Sequence, residues 1–500
     1  MTAIIGTAAI AGVRPHAVEV EASSGGGLPG VRIVGLPDTA VREASDRVRA
    51  ACRAANFSLP GELIVVNLAP AGVRKSGGGF DLPVILAILA TTATLKGVPV
   101  DGVWAVGEVG LDGAVRPTPG TLPVAVAAQR AGARLLFVAT EVAREAQLVE
   151  GLDVVGVSSV TEAVGVLKGE LCAAEPSGPP PVAGRPVPDM CDVRGQPVAR
   201  RALEVAAAGG HHLLMVGPPG CGKSMLAKRL PGLLPDLSNR QALEVATVRS
   251  VAGIRAGDEA LDVTPPFREP HHTTSLAGLI GGGSGVPRPG ELSLAHHGIL
   301  FMDEFLETPR WILDALREPL ENGRVILNRA VGSITYPCRV QLVAATNPCP
   351  CGYVTSNARS CRCRPDMVTR YRSRLSGPLL DRIDVQIELQ ALAAQELLGP
   401  ADGESSGVVA KRVLAARGTA TDRWGTTVAR AATAAVRGTA TDTAVRRLVR
   451  AVEVLGFSAR AFDRCLRVAR TIADLDGVEV VGADQIDEAV AYRLPPDVLR

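Results

Sequence analysis

Eight consecutive residues, Gly217-Pro-Pro-Gly-Cys-Gly-Lys-Ser224, combine the side-chain types that a polyphosphate needs. Gly217, Gly220 and Gly222, with Pro218, Pro219 and Cys221 between them, let backbone N–H groups curl around phosphate oxygens. Lys223 then supplies a cation for the β- and γ-phosphates, and Ser224 a hydroxyl for Mg²⁺. The flanks fit: His212-Leu-Leu-Met-Val216 is a short apolar run suited to a buried strand, and Met225-Leu-Ala-Lys-Arg-Leu230 has helical character. Downstream, Ile299-Leu-Phe-Met-Asp-Glu304 is an apolar strand ending in two carboxylates. Asp303 is expected to hold Mg²⁺ through water and Glu304 to polarise the attacking water, so the chemistry is hydrolysis of a nucleoside triphosphate such as ATP. Val340-Gln-Leu-Val-Ala-Ala-Thr-Asn347 is a further strand with Asn347 at its end, placed to orient that water or touch the γ-phosphate.

A second group of chemistry-bearing residues follows directly. Cys349 and Cys351 are separated by nine residues from Cys361 and Cys363, and two Cys pairs on a hairpin-like loop can supply a tetrahedral S₄ set for structural Zn²⁺. Free thiols and a disulfide are the other readings of the same four residues. Arg359, Arg362, Arg364, Arg370, Arg372 and Arg374 crowd this stretch with Asp366 alone opposing them, which suits either a grip on nucleic-acid phosphates or an ionic contact between subunits.

The elements that must position these residues are legible in outline. A chain of 500 residues implies two or three domains. Hydrophobic residues make up 47% and aromatics 3%, so the cores are packed mainly by Ala, Val and Leu, as α/β layers and helices allow. A net charge of +2 excludes a protein that holds nucleic acid by bulk charge, so any DNA contact is local. No apolar run approaches the ~20 residues of a membrane span, and the start lacks the basic region of a signal peptide, so a cytoplasmic protein is expected. Residues 1–172 alternate short apolar runs, such as Gly61–Asn67 and Leu135–Ala139, with Ala-rich helical segments, and read as an α/β domain. Residues 173–188 are a Pro/Gly-rich linker, 189–390 a parallel α/β core, and 391–500 a helical lid, in which Ala444–Leu455 has clear helical spacing. The hexapeptide Arg-Gly-Thr-Ala-Thr-Asp, at 417–422 and 437–442, is too sparse for a solenoid.

Taken with Pro266-Phe-Arg-Glu-Pro-His-His-Thr273, Gly290-Glu-Leu-Ser-Leu-Ala-His-His-Gly298 and Ser376-Gly-Pro-Leu-Leu-Asp-Arg-Ile-Asp384, these motifs resemble the magnesium-chelatase-like AAA+ ATPases of the ComM/YifB subfamily along essentially the whole chain. The resemblance implies a ring, a hexamer in the first instance, that hydrolyses ATP with Mg²⁺. It implies that Asn347 is sensor 1, that Arg382 reaches the neighbouring subunit's γ-phosphate as a finger, and that Arg460, in Ser458-Ala-Arg460 at the start of a lid helix, is sensor 2. Arg382 could instead pair with Asp381 or Asp384, and Arg460 could be a surface charge. His271 and His272 are assigned to an insertion or a subunit contact in preference to a metal site, because adjacent side chains rarely converge on one ion. Gly281–Gly285 is a turn, with no Lys-Ser/Thr and helix after it to make a phosphate loop.

The N-terminal domain resembles the Lon protease catalytic domain in Gly107-Glu-Val-Gly-Leu-Asp-Gly-Ala-Val-Arg-Pro117 and Gly120–Gly132, but Gly79 stands at the serine position and Pro123 at the lysine position. Ser76 and Lys75 are adjacent on one backbone stretch and do not form a convergent dyad, so no proteolysis is expected. What the resemblance implies for substrate is branched or single-stranded DNA moved during recombination, as by a branch migration helicase. A chelatase motor and a protein unfoldase are the alternatives. The fused N-terminal domain and the lack of an integrin-type domain weigh against the first, and the lack of an aromatic-hydrophobic pore loop against the second.

Overall fold

The computed structural model describes residues 2–172, 185–254, 261–283, 287–329, 332–355, 359–391 and 403–494. Residues 173–184, most of the expected linker, lie outside that set. The N-terminal part is a seven-stranded sheet. Its strands are β1 (Thr2–Ala11), β2 (Arg14–Gly25), β3 (Gly30–Val34), β4 (Leu63–Ala69), β5 (Val103–Ala105), β6 (Leu135–Ala139) and β7 (Asp153–Val157), in the order β3-β4-β2-β1-β5-β6-β7. Alternation drives burial, as in β2, where Val18, Val20 and Ala22 are buried and Glu19 faces out. The Asp81–Ala90 helix packs on β1 and β2 and is buried at all ten of its positions, which is why its sequence is apolar all round.

The second sheet carries the nucleotide motifs. Strands β8 (Leu213–Val216), β9 (Phe267–Arg268), β10 (Ile299–Met302), β11 (Gln341–Thr346) and β12 (Val385–Glu388) run in the order β9-β10-β11-β8-β12, and every pair is parallel. All residues of β8, β10 and β11 are buried, as expected where both faces are covered. Leu213, Met215, Phe301 and Val343 face a core shared with the Pro197–Gly209 helix and the C-terminal helices Ser406–Trp424, Asp442–Leu455, Ala459–Leu475 and Ala483–Ala491. Leu214, Val216, Leu300 and Leu342 face the opposite core, with Ile312, Leu313 and Leu316. The helices expected as a lid therefore share one hydrophobic core with the sheet that bears the phosphate loop. The two copies of the hexapeptide sit in unlike places. Residues 417–422 lie within the Ser406–Trp424 helix, whereas 437–442 run from the end of the Thr433–Arg437 helix into the start of the Asp442–Leu455 helix.

The N-terminal part touches this second unit at two points among others. The Asn239–Ala252 helix, started by a capping box between Ser238 and Gln241, presents Ser250 to the N-terminal Thr121–Arg130 helix. Gly120 N–H donates to Ser250 O at 3.0 Å and Leu122 N–H to Ser250 Oγ at 3.3 Å. At the second point the β1–β2 turn meets the Arg324–Arg329/Gly332–Pro337 hairpin so closely that a Cβ on Gly12 would lie 2.7 Å from Thr335 O.

One buried carboxylate joins the C-terminal helices to the sheet. Asp384, 1% exposed, accepts from Arg464 Nη1 at 2.9 Å and from the His212 backbone N–H at 3.0 Å. Burial opposes its charge, but Arg464 with His211 and His212 overrides that and holds the carboxyl far below the usual carboxylate range. A depressed folded pKa contributes stability above the unfolded value, ~4, and that contribution fades as pH falls below it. Asp384→Asn should therefore lower stability at pH 7 by about 3–5 kcal/mol, the cost of breaking a buried pair. Guanidinium unfolding of the two proteins should show this gap narrowing as the pH is taken below ~4. Equal midpoints at pH 7 would remove Asp384 from this role.

Candidate functional site

The phosphate loop leaves the carboxyl end of β8, between β11 and β12, where parallel sheets bind ligands. Gly220 (φ +77°) and Gly222 (φ +96°) are left-handed, and a Cβ built on either would meet no atom within 4 Å, so the loop backbone faces open space wide enough for phosphate oxygens. Lys223 is buried, with its ammonium on Gly217 O (2.7 Å), Pro218 O (2.9 Å) and Asn347 Oδ1 (3.2 Å). Its hydrogen-bond partners among the described residues are all uncharged, and burial lowers its pKa. Ser224 Oγ donates to Asp303 Oδ2 at 2.6 Å, so the two groups expected at Mg²⁺ already meet. These residues fit MgATP: a buried cation with no anion bonded to it among the described residues, an open amide cradle and a hydroxyl–carboxylate pair. MgATP would bring the β–γ bond to be broken and the dication; Lys223 would hold its phosphates, and Asn347, just past the end of β11, lies against that same ammonium.

Glu304 follows β10 with a left-handed backbone (φ +48°, ψ +42°) that is strained for a non-glycine residue, and its N–H donates to Asp303 Oδ1 at 2.8 Å. Its carboxylate is not turned toward open solvent alone: His272 Nδ1 lies 2.7 Å from Glu304 Oε2. The histidine assigned by resemblance to an insertion or subunit contact thus meets the expected catalytic carboxylate. Arg382, 12% exposed, donates to Pro378 O at 2.8 Å and pairs with Glu321, so neither Asp381 nor Asp384 is its partner. Arg460 is exposed on the first turn of the Ala459–Leu475 helix, which Ser458 caps, and adds to the positive field that, with Arg382 bonded to Glu321, lowers the Glu321 pKa.

Three family models match in chain order. "Subunit ChlI of Mg-chelatase" covers residues 18–142, "Magnesium chelatase, subunit ChlI" 189–397, and "Magnesium chelatase, subunit ChlI C-terminal" 403–493. YifB of Salmonella typhimurium is 42% identical over 495 residues, covering 98% of this chain and 97% of that protein. Competence protein ComM of Haemophilus influenzae is 41% identical over 499 residues, covering 98% and 97%. Rv2897c of Mycobacterium tuberculosis is 42% identical over 497 residues, covering 97% of each. The chain belongs to the magnesium-chelatase-like ComM/YifB family. Membership makes it an AAA+ ATPase that uses ATP and Mg²⁺. No helix among its described residues is long and apolar enough to cross a membrane.

In this ComM/YifB chain the four cysteines converge beside the phosphate loop. The Sγ atoms of Cys349, Cys351 and Cys361 are 3.5, 3.5 and 3.8 Å apart, and Cys363 Sγ lies within 4.8 Å of them all. A tetrahedral set about 2.3 Å from Zn²⁺ has S···S edges of about 3.8 Å, and a disulfide needs about 2.05 Å, so the spacing fits a metal and all four thiols are free. Burial opposes the Cys351 thiolate, yet the backbone N–H groups of Arg362 and Tyr353 outweigh it and bring the thiol down to about 6. Gly352 (φ +85°) sits inside this knuckle and lies flat on the phosphate loop.

The arginines nearby divide. Arg372 donates to Pro348 O at 3.2 Å and Arg374 to Leu306 O at 2.7 Å and Glu307 Oε2 at 3.0 Å, so these two brace the strand ends. Arg359, Arg362, Arg364 and Arg370 are exposed, with Arg359 stacked over Tyr353 at 4.7 Å.

A second metal-like group, Glu244 with His296 and His297, is better explained without an ion. His296 Nδ1 accepts the Arg339 N–H at 3.0 Å, so its proton is on Nε2, which points at Glu244 Oε2 and cannot also coordinate. In the N-terminal part, Gly79 faces Val106 and Thr118, Pro123 is buried in its helix, and the buried Lys75 ammonium donates to Pro70 O on its own chain. None of these supplies a serine–lysine contact.

A Cβ on Gly352 would lie 2.4 Å from Pro219 Cδ. Gly352→Ala should therefore push the phosphate loop and, at the ~1–3 kcal/mol typical of overpacking, weaken ATP binding about 5- to 150-fold without removing any phosphate ligand. Fluorescent-nucleotide titration checks this, and wild-type affinity would show that the knuckle does not set the loop.

Proposed function

We propose that this ATPase is a ring-forming DNA motor, a hexamer that drives branch migration during recombination of incoming strands. The observation that carries the nucleotide half is Lys223, a buried ammonium on neutral oxygens beside the Ser224–Asp303 pair. The DNA half rests on similarity over the full chain to a competence protein and on the four exposed arginines around the cysteine knuckle. In this reading Glu304 activates water and Asn347 senses the γ-phosphate. Arg382 exchanges Glu321 for the neighbouring subunit's nucleotide, and Arg460 reports nucleotide state to the C-terminal helices. The N-terminal domain, Lon-like without its dyad, packs and guides but does not cleave. A chelatase-type motor is the second reading, favoured by the ChlI models.

Lys223→Ala should weaken ATP binding, and Glu304→Gln should keep binding while stopping turnover. Wild-type turnover should rise with four-way junctions or single strands, and the stimulation should fall steeply between ~50 and ~200 mM salt as phosphate contacts release counterions. Indifference to every DNA form at low salt would favour the chelatase or unfoldase readings.

The same proposal gives the knuckle a structural Zn²⁺ held by Cys349, Cys351, Cys361 and Cys363. Elemental analysis of protein purified without chelator should find about one zinc per chain, lost in the Cys349→Ser/Cys351→Ser double variant. Zinc-free, fully reduced protein with normal nucleotide affinity would leave four free thiols.

A further inference from the structure

Tyr353 and Arg359 lie on the loop that joins the two cysteine pairs. The Arg359 guanidinium sits over the Tyr353 ring at 4.7 Å, and its Nη1 donates to the tyrosine hydroxyl at 3.4 Å. Arg359 is nevertheless exposed. A flexible arginine loses rotamer freedom when it grips a ligand, whereas this one is already held, so it presents a fixed planar cation to solvent at little further cost. The charge around it is uncompensated. Arg364 pairs with Asp366 at 3.1 Å, but Arg359 and Arg362 have no carboxylate partner among the described residues. The backbone N–H groups of Tyr353 and Arg362 converge on Cys351 Sγ, which brings residue 362, also exposed, next to residue 353. Gly352, the residue before Tyr353, lies against Pro219, so the stack stands one residue from the contact with the phosphate loop. Phosphates alone need charge, and a fixed plane adds something only for a ligand with flat faces. Bases in a duplex are covered by their neighbours, whereas those of a single strand are open to stack on aromatic rings and guanidinium planes. A charged contact between subunits would use the arginines and leave the stack without a role.

We propose that the Tyr353–Arg359 stack is a base-stacking subsite for single-stranded nucleic acid: one unpaired base lies on the outer plane of the Arg359 guanidinium, Tyr353 backs that plane, and Arg362 holds an adjoining phosphate. Stacking is tolerant of base identity, so the subsite grips a strand without reading its sequence. It also places that strand beside the phosphate loop. The proposal rests on the reading of the protein as a DNA motor and names the form of DNA and the side chains that meet it.

The test uses the full chain with a non-hydrolysable ATP analogue at low salt and two fluorescent strands of equal length, one of oligo-dT and one whose sugars carry no bases. The two strands share their phosphates and differ only in what can stack. Wild type should bind the dT strand more tightly by about 5- to 150-fold, the worth of one stacked base. Arg359→Lys keeps the positive charge and removes the plane. It should weaken dT binding at least about fivefold and leave binding of the abasic strand as in wild type. Tyr353→Ala, which removes the backing ring, should do the same, whereas Arg362→Gln should weaken both strands alike. Light scattering should give one assembly size for wild type and Arg359→Lys. Equal losses on both strands in Arg359→Lys, no loss on either, or an altered assembly, as a subunit contact demands, would overturn the subsite. Wild type that binds neither strand would instead strike the DNA reading itself and carry the subsite down with it.

Discussion

A buried ammonium without a bonded anion is the constraint on which the rest of this structure turns. Lys223 is removed from water and bonded, among the described residues, to the carbonyls of Gly217 and Pro218, the amide oxygen of Asn347 and the Cys221 sulfur, none of them an anion. Desolvating a charge costs several kcal/mol, and neutral oxygens recover part of it. The arrangement favours an incoming anion with several oxygens, and the open backbone at Gly220 and Gly222 is where such oxygens fit. Once Lys223 is fixed, its neighbours have little freedom. Asn347 must end β11 against it, Pro219 must carry the loop over Gly352, and Ser224 must reach Asp303 at the end of β10.

The sheet transmits that constraint in two directions. Alternate residues of β8, β10 and β11 face two different cores, so a shift of the strands under the loop is felt on both faces. On one face lie the C-terminal helices, tied to the strand end at Asp384 through Arg464. At the sheet edge, β9 leads through His272 to Glu304 and into the segment that follows. The N-terminal sheet grips the Asn239–Ala252 helix and the Arg324–Pro337 hairpin, both outside the nucleotide loop itself. An ATPase with these attachments has several routes by which the state of its nucleotide loop can be felt elsewhere in the chain.

Local features were legible in the sequence and convergent ones were not. The strand ahead of Gly217, the apolar run ending at Asp303 and the strand ending before Asn347 each depend on a few consecutive residues, so composition and order sufficed. The four cysteines were legible as a group because their thiols lie on one short loop. Asp384 was read only as a possible partner of Arg382, because its real partner, Arg464, lies 80 residues away. Glu321 was missed for the same reason, 61 residues from Arg382. His272 was read by adjacency to His271, and only the parallel register of Phe267 with Ile299 points it at Glu304. Nothing in the residues around Gly352 says that its missing Cβ makes room for Pro219.

The central claim is that Lys223 and the Ser224–Asp303 pair hold each other's places until a magnesium nucleotide arrives. A structure of the full chain with Mg²⁺ and a non-hydrolysable ATP analogue tests it most directly. The account predicts that Lys223 Nζ leaves Gly217 O and Pro218 O for the β- and γ-phosphate oxygens, and that the metal parts Ser224 Oγ from Asp303. Nucleotide bound elsewhere, with Lys223 still on its carbonyls and the Ser224–Asp303 contact intact, would contradict it.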